Sequence, residues 1–364
     1  MSEIKVNSIK GVAASSAAIS INNSDGTCTA NLTNRTNKNL VINGAFQVAQ
    51  RGTSATTNGY GSVDRVRLSY NSSGLDEVPT QAQADVASGT TPYTSGFRKC
   101  FKITNGNQTS GAGANDFIKF QYRLEAQDIA NSGWNYVSSS SNITLSFWVK
   151  SSVAQNFYGY LETFDGSGYL YPFETGSLSA DTWTKVTKTI SGNSNLTFNN
   201  DNGSGLQIEI HPFMGTDSTA SGVALNTWAA YAAGTRTPDQ TSTWFTTNDA
   251  TFEITGLQLE VGSVATDFEH RSFAQELALC KRYFNTDGII LANSDSARYY
   301  NKISLDVHMR AKPTISVGGY DNGSGGSMGY AWDSSGAANS TRSFTQYPAH
   351  SSVSAAWFKF DAEL

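Results

Sequence analysis

The sequence predicts an all-β protein: a jelly-roll β-sandwich, a short connecting helix and then a small C-terminal β domain. Three observations carry that expectation. Apolar and polar residues alternate at period two along one segment after another, the pattern of strands with a single buried face. Turn signals separate those segments, with Asn-Gly at 105–106 and 202–203 and Asp-Gly at 165–166. The composition suits sheets with many turns. The chain of 364 residues has 12% aromatics, 33 Gly, 7 Pro and only 15% charged residues, against about 25% charged in an ordinary globular chain.

Taken in order, residues 1–39 differ from the rest. They contain no Trp, Tyr or Phe, and two short alternating pieces appear in them, Ile4, Val6 and Ile9, then Ile19 and Ile21. That is too little to build a core, so the segment is expected either to be disordered or to order against another chain or particle. Residues 40–270 are expected to be the sandwich. In ITLSFWVKS, Ile143, Leu145, Phe147 and Val149 share one face, and Thr144, Ser146, Trp148 and Lys150 share the other. NFYGYLETF sets Phe157 and Leu161 against Tyr158, Tyr160 and Glu162, and GLQIEIHPF sets Leu206, Ile208 and Ile210 against Gln207, Glu209 and His211. TWTKVTKTI, with Trp183, Val186 and Ile190, and ATFEITGLQLEVG continue the series. Regular short strands with one apolar face describe two packed sheets.

A helix is expected over 271–284. Ser272 and Gln275 have capping-box spacing, and Phe273, Leu277, Cys280 and Phe284 form one apolar stripe. Lys281 and Arg282 suit its last turn, and Asn285 and Asp287-Gly288 are expected to end it. Residues 285–364 read as β again, through GIILAN, ARYYNKISLDVHM, PTISVGG, MGYAWD and SAAWFKFDAEL.

Several function classes fall away. A net charge of −5 gives no basic face for phosphates, so no nucleic-acid partner is expected. No run approaches 18 apolar residues, so no membrane insertion is expected. MSEIKVNSIKG has an acid at Glu3 and no apolar centre, so it is not expected to be a signal peptide. Cys28, Cys100 and Cys280 are far apart and form no CxxC, so neither a disulfide framework nor a zinc site is expected, but inert buried thiols of a cytosolically made chain.

No serine sits in GxSxG, and His211, His270, His308 and His350 are scattered. No clustered metal ligands and no Gly-rich phosphate loop are found, so no cofactor and no resident metal are expected, although spacing does not decide whether loop oxygens hold calcium. Glycan hydrolysis needs two carboxylates without fixed sequence spacing, and Glu162 and Glu209 share the polar faces of two strands. So do many carboxylates in inactive proteins, and the expectation is no enzyme and no catalytic residue.

Sugar binding is better supported. Pyranose faces stack on aromatic planes, and their hydroxyls want paired hydrogen bonds. Trp148, Tyr158, Tyr160, Glu162, Gln207, Glu209 and His211 supply both, and would form a single concave surface if their strands are neighbours. The same face could instead meet another subunit, or solvent. A second candidate is Tyr320, Asp321, Asn322, Tyr330 and Trp332 in a Gly-rich region, where the plainer reading makes Tyr330 and Trp332 core.

These residues also suggest a family. NLVINGAFQVAQRGTS, SFWVKSS and EITGLQLEVGSVATDFEHRSFAQELALCKRYF resemble bacteriophage tail-fibre and related virion adhesion proteins, over roughly residues 40–290. The opening IKVNSIK is similar to the start of such proteins, and the middle resembles carbohydrate-binding-module jelly rolls. The resemblance implies a non-enzymatic, generally trimeric virion component that recognises bacterial surface glycan. Residues 1–39 would then attach to other virion proteins, and Phe273, Leu277 and Phe284 would pack near a three-fold axis. The tail appendage would be assembled in the host cytoplasm. A capsid decoration protein or head fibre, and a depolymerase tailspike, are the alternatives. Residues 290–364 lie outside the resemblance.

Overall fold

Alternation and turn chemistry cut the chain into strands, and the computed structural model describes residues 6, 8–9, 19–21, 28–30, 37–290, 301–321, 329–332, 343–347 and 355–364. The first elements are β1 (Ser8–Ile9), β2 (Ile19–Ile21), β3 (Cys28–Ala30), β4 (Ser54–Ala55), β5 (Val66–Tyr70) and β6 (Thr80–Asp85). Helix α1 (Thr91–Thr94), β7 (Lys99–Thr104), β8 (Phe117–Glu125), helix α2 (Ala126–Ala130), β9 (Asn142–Ser151), β10 (Asn156–Thr163), β11 (Tyr169–Ser177) and β12 (Thr184–Ser191) follow. Next come β13 (Ser204–Met214), β14 (Ala229–Ala230), helix α3 (Thr243–Thr246), β15 (Thr251–Val261) and helix α4 (Phe273–Lys281). The last are β16 (Phe284–Ile290), β17 (Asn301–Ser304), β18 (Thr314–Asp321), β19 (Gly329–Trp332), β20 (Ser343–Tyr347) and β21 (Ala355–Asp361).

Two six-stranded sheets, β14-β11-β10-β13-β8-β5 and β12-β9-β15-β7-β6-β4, make a jelly-roll sandwich. Successive strands β8, β9 and β10 alternate between the sheets, as a jelly roll requires. The alternation in the sequence sets the core. Ile143, Leu145, Phe147 and Val149 of β9 and Phe252, Ile254, Leu257 and Leu259 of β15 join Ile118, Phe120 and Leu124 of β8 and Leu206, Ile208 and Ile210 of β13 in one buried cluster. Each fully buried side chain of this size contributes roughly 1.5–3 kcal/mol. Strands β1, β2 and β3 pair into a small antiparallel sheet of their own. The C-terminal strands form two three-stranded sheets, β16-β21-β18 and β17-β20-β19. Helices α1 to α3 and strands β3 and β20 were not expected from the sequence, and strands β4 to β8, β11 and β14 were not singled out in it.

The connecting helix is shorter than expected. Its start is as expected: Ser272 Oγ accepts from Gln275 N, Ser272 N donates to the Gln275 side chain, and the capping box is complete. Its end is not, because α4 stops at Lys281 and Phe284 opens β16. Asn285, Asp287 and Gly288 therefore do not end the helix; they pair with Phe360, Phe358 and Trp357 of β21. Tertiary partners draw the chain out of the helix. Arg282 donates to Glu125 at 3.0 and 2.8 Å, and Tyr283 lies under the Arg65 guanidinium, 3.4 Å from its ring centroid. Of the residues expected at a three-fold interface, Phe284 is interior at 2% exposure, with Arg51 3.7 Å above its ring. Phe273 is 54% exposed, and Leu277 is half-buried. Among the described residues no helix is long and apolar enough to cross a membrane.

Candidate functional site

Strands β10 and β13 are neighbours, so Tyr158, Tyr160 and Glu162 stand opposite His211, Glu209 and Gln207 in register. Strand β8 lies on the other side of β13 and sets Gln121 opposite Glu209 and Arg123 opposite Gln207. The result is a hydrogen-bonded row across the sheet. Arg67 donates to Gln121 Oε1 at 2.8 Å, Gln121 Nε2 to Glu209 Oε2 at 2.5 Å, and Tyr160 Oη to Glu209 Oε1 at 2.6 Å. A second row runs from Arg123 Nε to Gln207 Oε1 at 2.8 Å, and Gln207 Nε2 donates to Glu209 at 2.8 Å and toward Glu162 at 3.4 Å. His211 Nε2 donates to Glu209 Oε1 at 2.8 Å, and Lys119 Nζ lies 3.2 Å from the same oxygen.

This face is largely closed, where the sequence left sugar contact, an interface with another subunit and plain solvent exposure as alternatives. Glu209 has 0% exposure, and Tyr160 and Gln207 have 2% each. Their hydrogen bonds run to one another and to Gln121, Arg123 and His211. Burial opposes the Glu209 charge, but Lys119 and the donors around it outweigh that and hold the carboxyl far below the usual range. Burial and the nearby Glu209 charge push Glu162 the other way. Two carboxyls with diverging pKa values suit acid–base chemistry, yet Glu209 has no surface at which to meet a substrate. Tyr158, Glu162, Arg67 and Arg123, only partly buried, form the rim.

Trp148 does not join this surface. It lies on β9, in the opposite sheet, where its cross-strand partners are Lys185 of β12 and Thr255 of β15. There it lines a cleft of about 250 Å³ with Ser95, Phe97, Ser146, Lys185, Gly256, Thr266, Asp267, Phe268 and His270. The wall is an aromatic triad. Phe97 meets Phe268 edge-on at 4.8 Å, and His270 lies 5.1 Å from Phe97 and 4.9 Å from Phe268. Two glycines make room for it. A Cβ on Gly256, at φ +65°, would come 2.6 Å from the Phe97 ring, and one on Gly96, at φ +98°, would come 2.9 Å from His270 Nε2. His270 Nε2 sits 2.9 Å from the Ser95 carbonyl oxygen. A carbonyl only accepts, so Nε2 carries a proton. The cleft thus offers stacking faces with an ammonium, a carboxylate, hydroxyls and an imidazole.

Sequence reasoning named Trp148 but missed its neighbours. Phe97, Phe268 and Lys185 are far apart in the chain and carry no local signal. Gln121, Arg123 and Lys119 had one, since FIKFQYRLE alternates like the strands that were read. Among the C-terminal candidates, Tyr320 and Asp321 end β18, and Tyr330 and Trp332 lie in β19, which belongs to the other three-stranded sheet. Asn322 lies outside the described residues. Among the described residues no group of three or more His, Cys, Asp or Glu could hold a metal ion.

The two longest stretches that carry the family resemblance meet in space. Glu269 accepts from the Asn37 and Asn39 amides at 2.6 and 2.8 Å, Arg271 donates to the Asn39 carbonyl at 2.5 Å, and Glu276 accepts from Asn43 N at 2.6 Å. Asn39 in turn bonds Leu257 and Leu259 of β15. These two segments build the junction of entry segment, sandwich and helix, while Phe268 and His270 also reach the Trp148 cleft.

No protein-family model matches the chain, and no curated protein matches it. Among solved structures it is similar to the enzymatically active domain of tailspike protein 4 of bacteriophage CBA120, with TM-score 0.32 and 11% identity, over 62% of this chain. It spans 21% of that chain, about a fifth of its length. The N-terminal cellulose-binding domain of Cellulomonas fimi β-1,4-glucanase C gives TM-score 0.28 and 8% identity, over 60% of this chain and 99% of that one. The baseplate tripod of bacteriophage Tuc2009 gives TM-score 0.28 and 14% identity, over 71% and 66%. Similarities of this size establish neither family nor function; the jelly roll here stands on its own strand order.

Proposed function

We propose that this chain is a bacteriophage virion adhesion protein, a tail-fibre or receptor-binding component that grips host surface glycan without cleaving it. The observation that carries glycan recognition is the Trp148 cleft: an aromatic floor and wall with hydrogen-bonding groups of both kinds around them. That is the chemistry a sugar ring asks for, an apolar face to stack and hydroxyls to satisfy. The resemblance of Asn39–Ser54 and Glu253–Phe284 to virion adhesion proteins supports the place on the particle. On this reading residues 1–39 join other virion proteins, and the chain works as a homotrimer assembled in the host cytoplasm. Phe273 and Leu277, one helical turn apart, remain available to the trimer, whereas Phe284 does not.

One observation favours a depolymerase instead, the opposed shifts of Glu162 and Glu209; the burial of Glu209 counts against it. The test uses the purified chain: its mass in solution, its binding to host cells and to an array of bacterial saccharides, and an assay for reducing ends. The expected result is a trimer that binds cells and saccharides and releases no reducing ends. Trp148→Ala should lower the binding at least about tenfold, a loss of 1.4 kcal/mol or more. A monomer that binds no saccharide and coats purified capsids would move the decoration reading to first place. Released reducing ends, abolished by Glu162→Gln, would establish the depolymerase.

A further inference from the structure

The segment Thr266–His270 contributes to two cavities. One is the Trp148 cleft. The other is a cleft of about 1050 Å³ between the entry segment 37–42, helix α2 and helix α4. Asp267, Phe268 and His270 line both. Helix α4 supplies Gln275, Ala278 and Leu279, which share one side of the helix by their three- and four-residue spacing. Asp128 and Asn131 come from α2 and its C-terminal end, and Leu40 and Ile42 add apolar surface. The smaller cavity falls just below the usual range for ligand sites, and the larger reaches its top, about 300–1,000 Å³.

We propose, resting on the glycan reading above, that the two cavities are one extended site for an uncharged oligosaccharide. The Trp148 cleft takes one sugar ring, the chain crosses the Asp267–His270 segment, and the large cleft takes the sugars that follow. Phe268 and His270, shared by both cavities, form the saddle between them. Charge selects the ligand class. The large cleft carries the carboxylates of Asp128, Asp267 and Glu269 against the cations of Lys38 and Arg271. Arg271 is already engaged with Glu269 and Glu276 at 3.3 Å each. An acidic glycan would meet net repulsion there, whereas neutral hydroxyls find carboxylate and amide partners. Arg271 Nε–H is buried without an acceptor among the described residues. Phe273 and Leu277 lie on a different side of α4 from Gln275, Ala278 and Leu279, so a trimer contact through them leaves the cleft open.

The experiment compares binding to printed bacterial saccharides, neutral and acidic, from single sugars to hexasaccharides. The expected result is neutral oligosaccharides held roughly tenfold or more tightly than the single sugar. Ala278→Trp should fill the large cleft and abolish that gain, with single-sugar binding and melting temperature unchanged. Leu279→Ala, which only trims the wall, should reduce the gain and carries the test if the bulkier variant fails to fold. A flat length dependence, a length gain that survives both variants, or preference for acidic spots overturns the extended site while the glycan reading stands. No binding at any length overturns the glycan reading, and this proposal with it.

Discussion

Glu209 shows how much depends on one side chain. Burying a carboxylate costs several kcal/mol, repaid only where geometry and hydrogen bonds are good. Here Lys119 stands at 3.2 Å, and Gln121, Gln207, Tyr160 and His211 all donate to it. Its folded pKa is held below the ordinary 4.5, so its contribution is present above that value and is lost as pH falls toward the folded one. His211 acts in the same direction: burial lowers its pKa from 6.5, so below that pH the unfolded chain takes up a proton that the folded chain refuses. Asp64 opposes both. Burial raises it from 3.8 to about 6, so acidification through that window favours the folded state. Glu209→Gln would leave Lys119 without its counter-charge, and removing one partner of a buried pair costs about 3–5 kcal/mol. Urea unfolding at neutral pH should show that loss, and the variant's stability should fall less than the parent's between about pH 5 and 3. A variant within about 0.5 kcal/mol of the parent at neutral pH would mean that the network does not stabilise the fold.

Strands with one apolar face were legible because alternation is local: Ile143, Leu145, Phe147 and Val149 are all fully buried, as their spacing requires. The helix start was legible too, because a capping box is four residues of local chemistry. Its end was not, since Arg65, Glu125 and strand β21, which draw residues 282–284 away, are remote in sequence. Nor could alternation place Trp148 relative to Tyr158. It assigns each residue to a side of its own strand, and β9 and β10 then enter opposite sheets, so their polar faces point away from each other. The bulge in β15 is a similar case. Register shifts between Thr255 and Gln258, which keeps Phe252 and Ile254 in the core together with Leu257 and Leu259 despite the break in alternation. Gly256 makes the shift at φ +65° and leaves space for Phe97. Gly256→Ala combines a left-handed backbone, about 1–2 kcal/mol, with overpacking of about 1–3 kcal/mol. The expected outcome is a melting temperature lower by several degrees and reduced saccharide binding, because Phe97 is one wall of the Trp148 cleft. Loss of stability with binding intact would separate the bulge from the site.

The C-terminal strands are fastened to the sandwich by a latch of charges and rings. Glu363 pairs with Arg51 at 3.3 Å and with Arg65, Arg51 also reaches Asp361 at 3.1 Å, and Arg310 Nε donates to the Ala362 carbonyl at 2.8 Å. Tyr60 Oη donates to the Leu364 carbonyl at 2.8 Å, and Ala362 N donates to the Tyr283 carbonyl at 2.8 Å. Arg65 is the centre. Its side chain is 1% exposed, it lies over Tyr283 and Tyr122, and its backbone sits at φ +71°, a conformation unfavourable for a residue with a Cβ. Such a residue keeps that conformation only where its partners hold it. The latch also fixes the chain immediately after α4, and α4 walls the large cleft, so C-terminal docking and cleft geometry are mechanically linked. Glu363→Ala removes the counter-charge from buried Arg65, at a cost of about 3–5 kcal/mol. Hydrogen exchange should locate the loss. In the parent, amides of β16, β18 and β21 should open together with those of β8 and β13 in one cooperative unit. In the variant the C-terminal strands should exchange faster, by a factor of about a hundred or more, while β8 and β13 keep their protection. Uniform loss across both sheets would mean that sandwich and C-terminal strands fold as one inseparable core, and unchanged exchange everywhere would mean that the rings and backbone bonds hold the latch without the ion pairs.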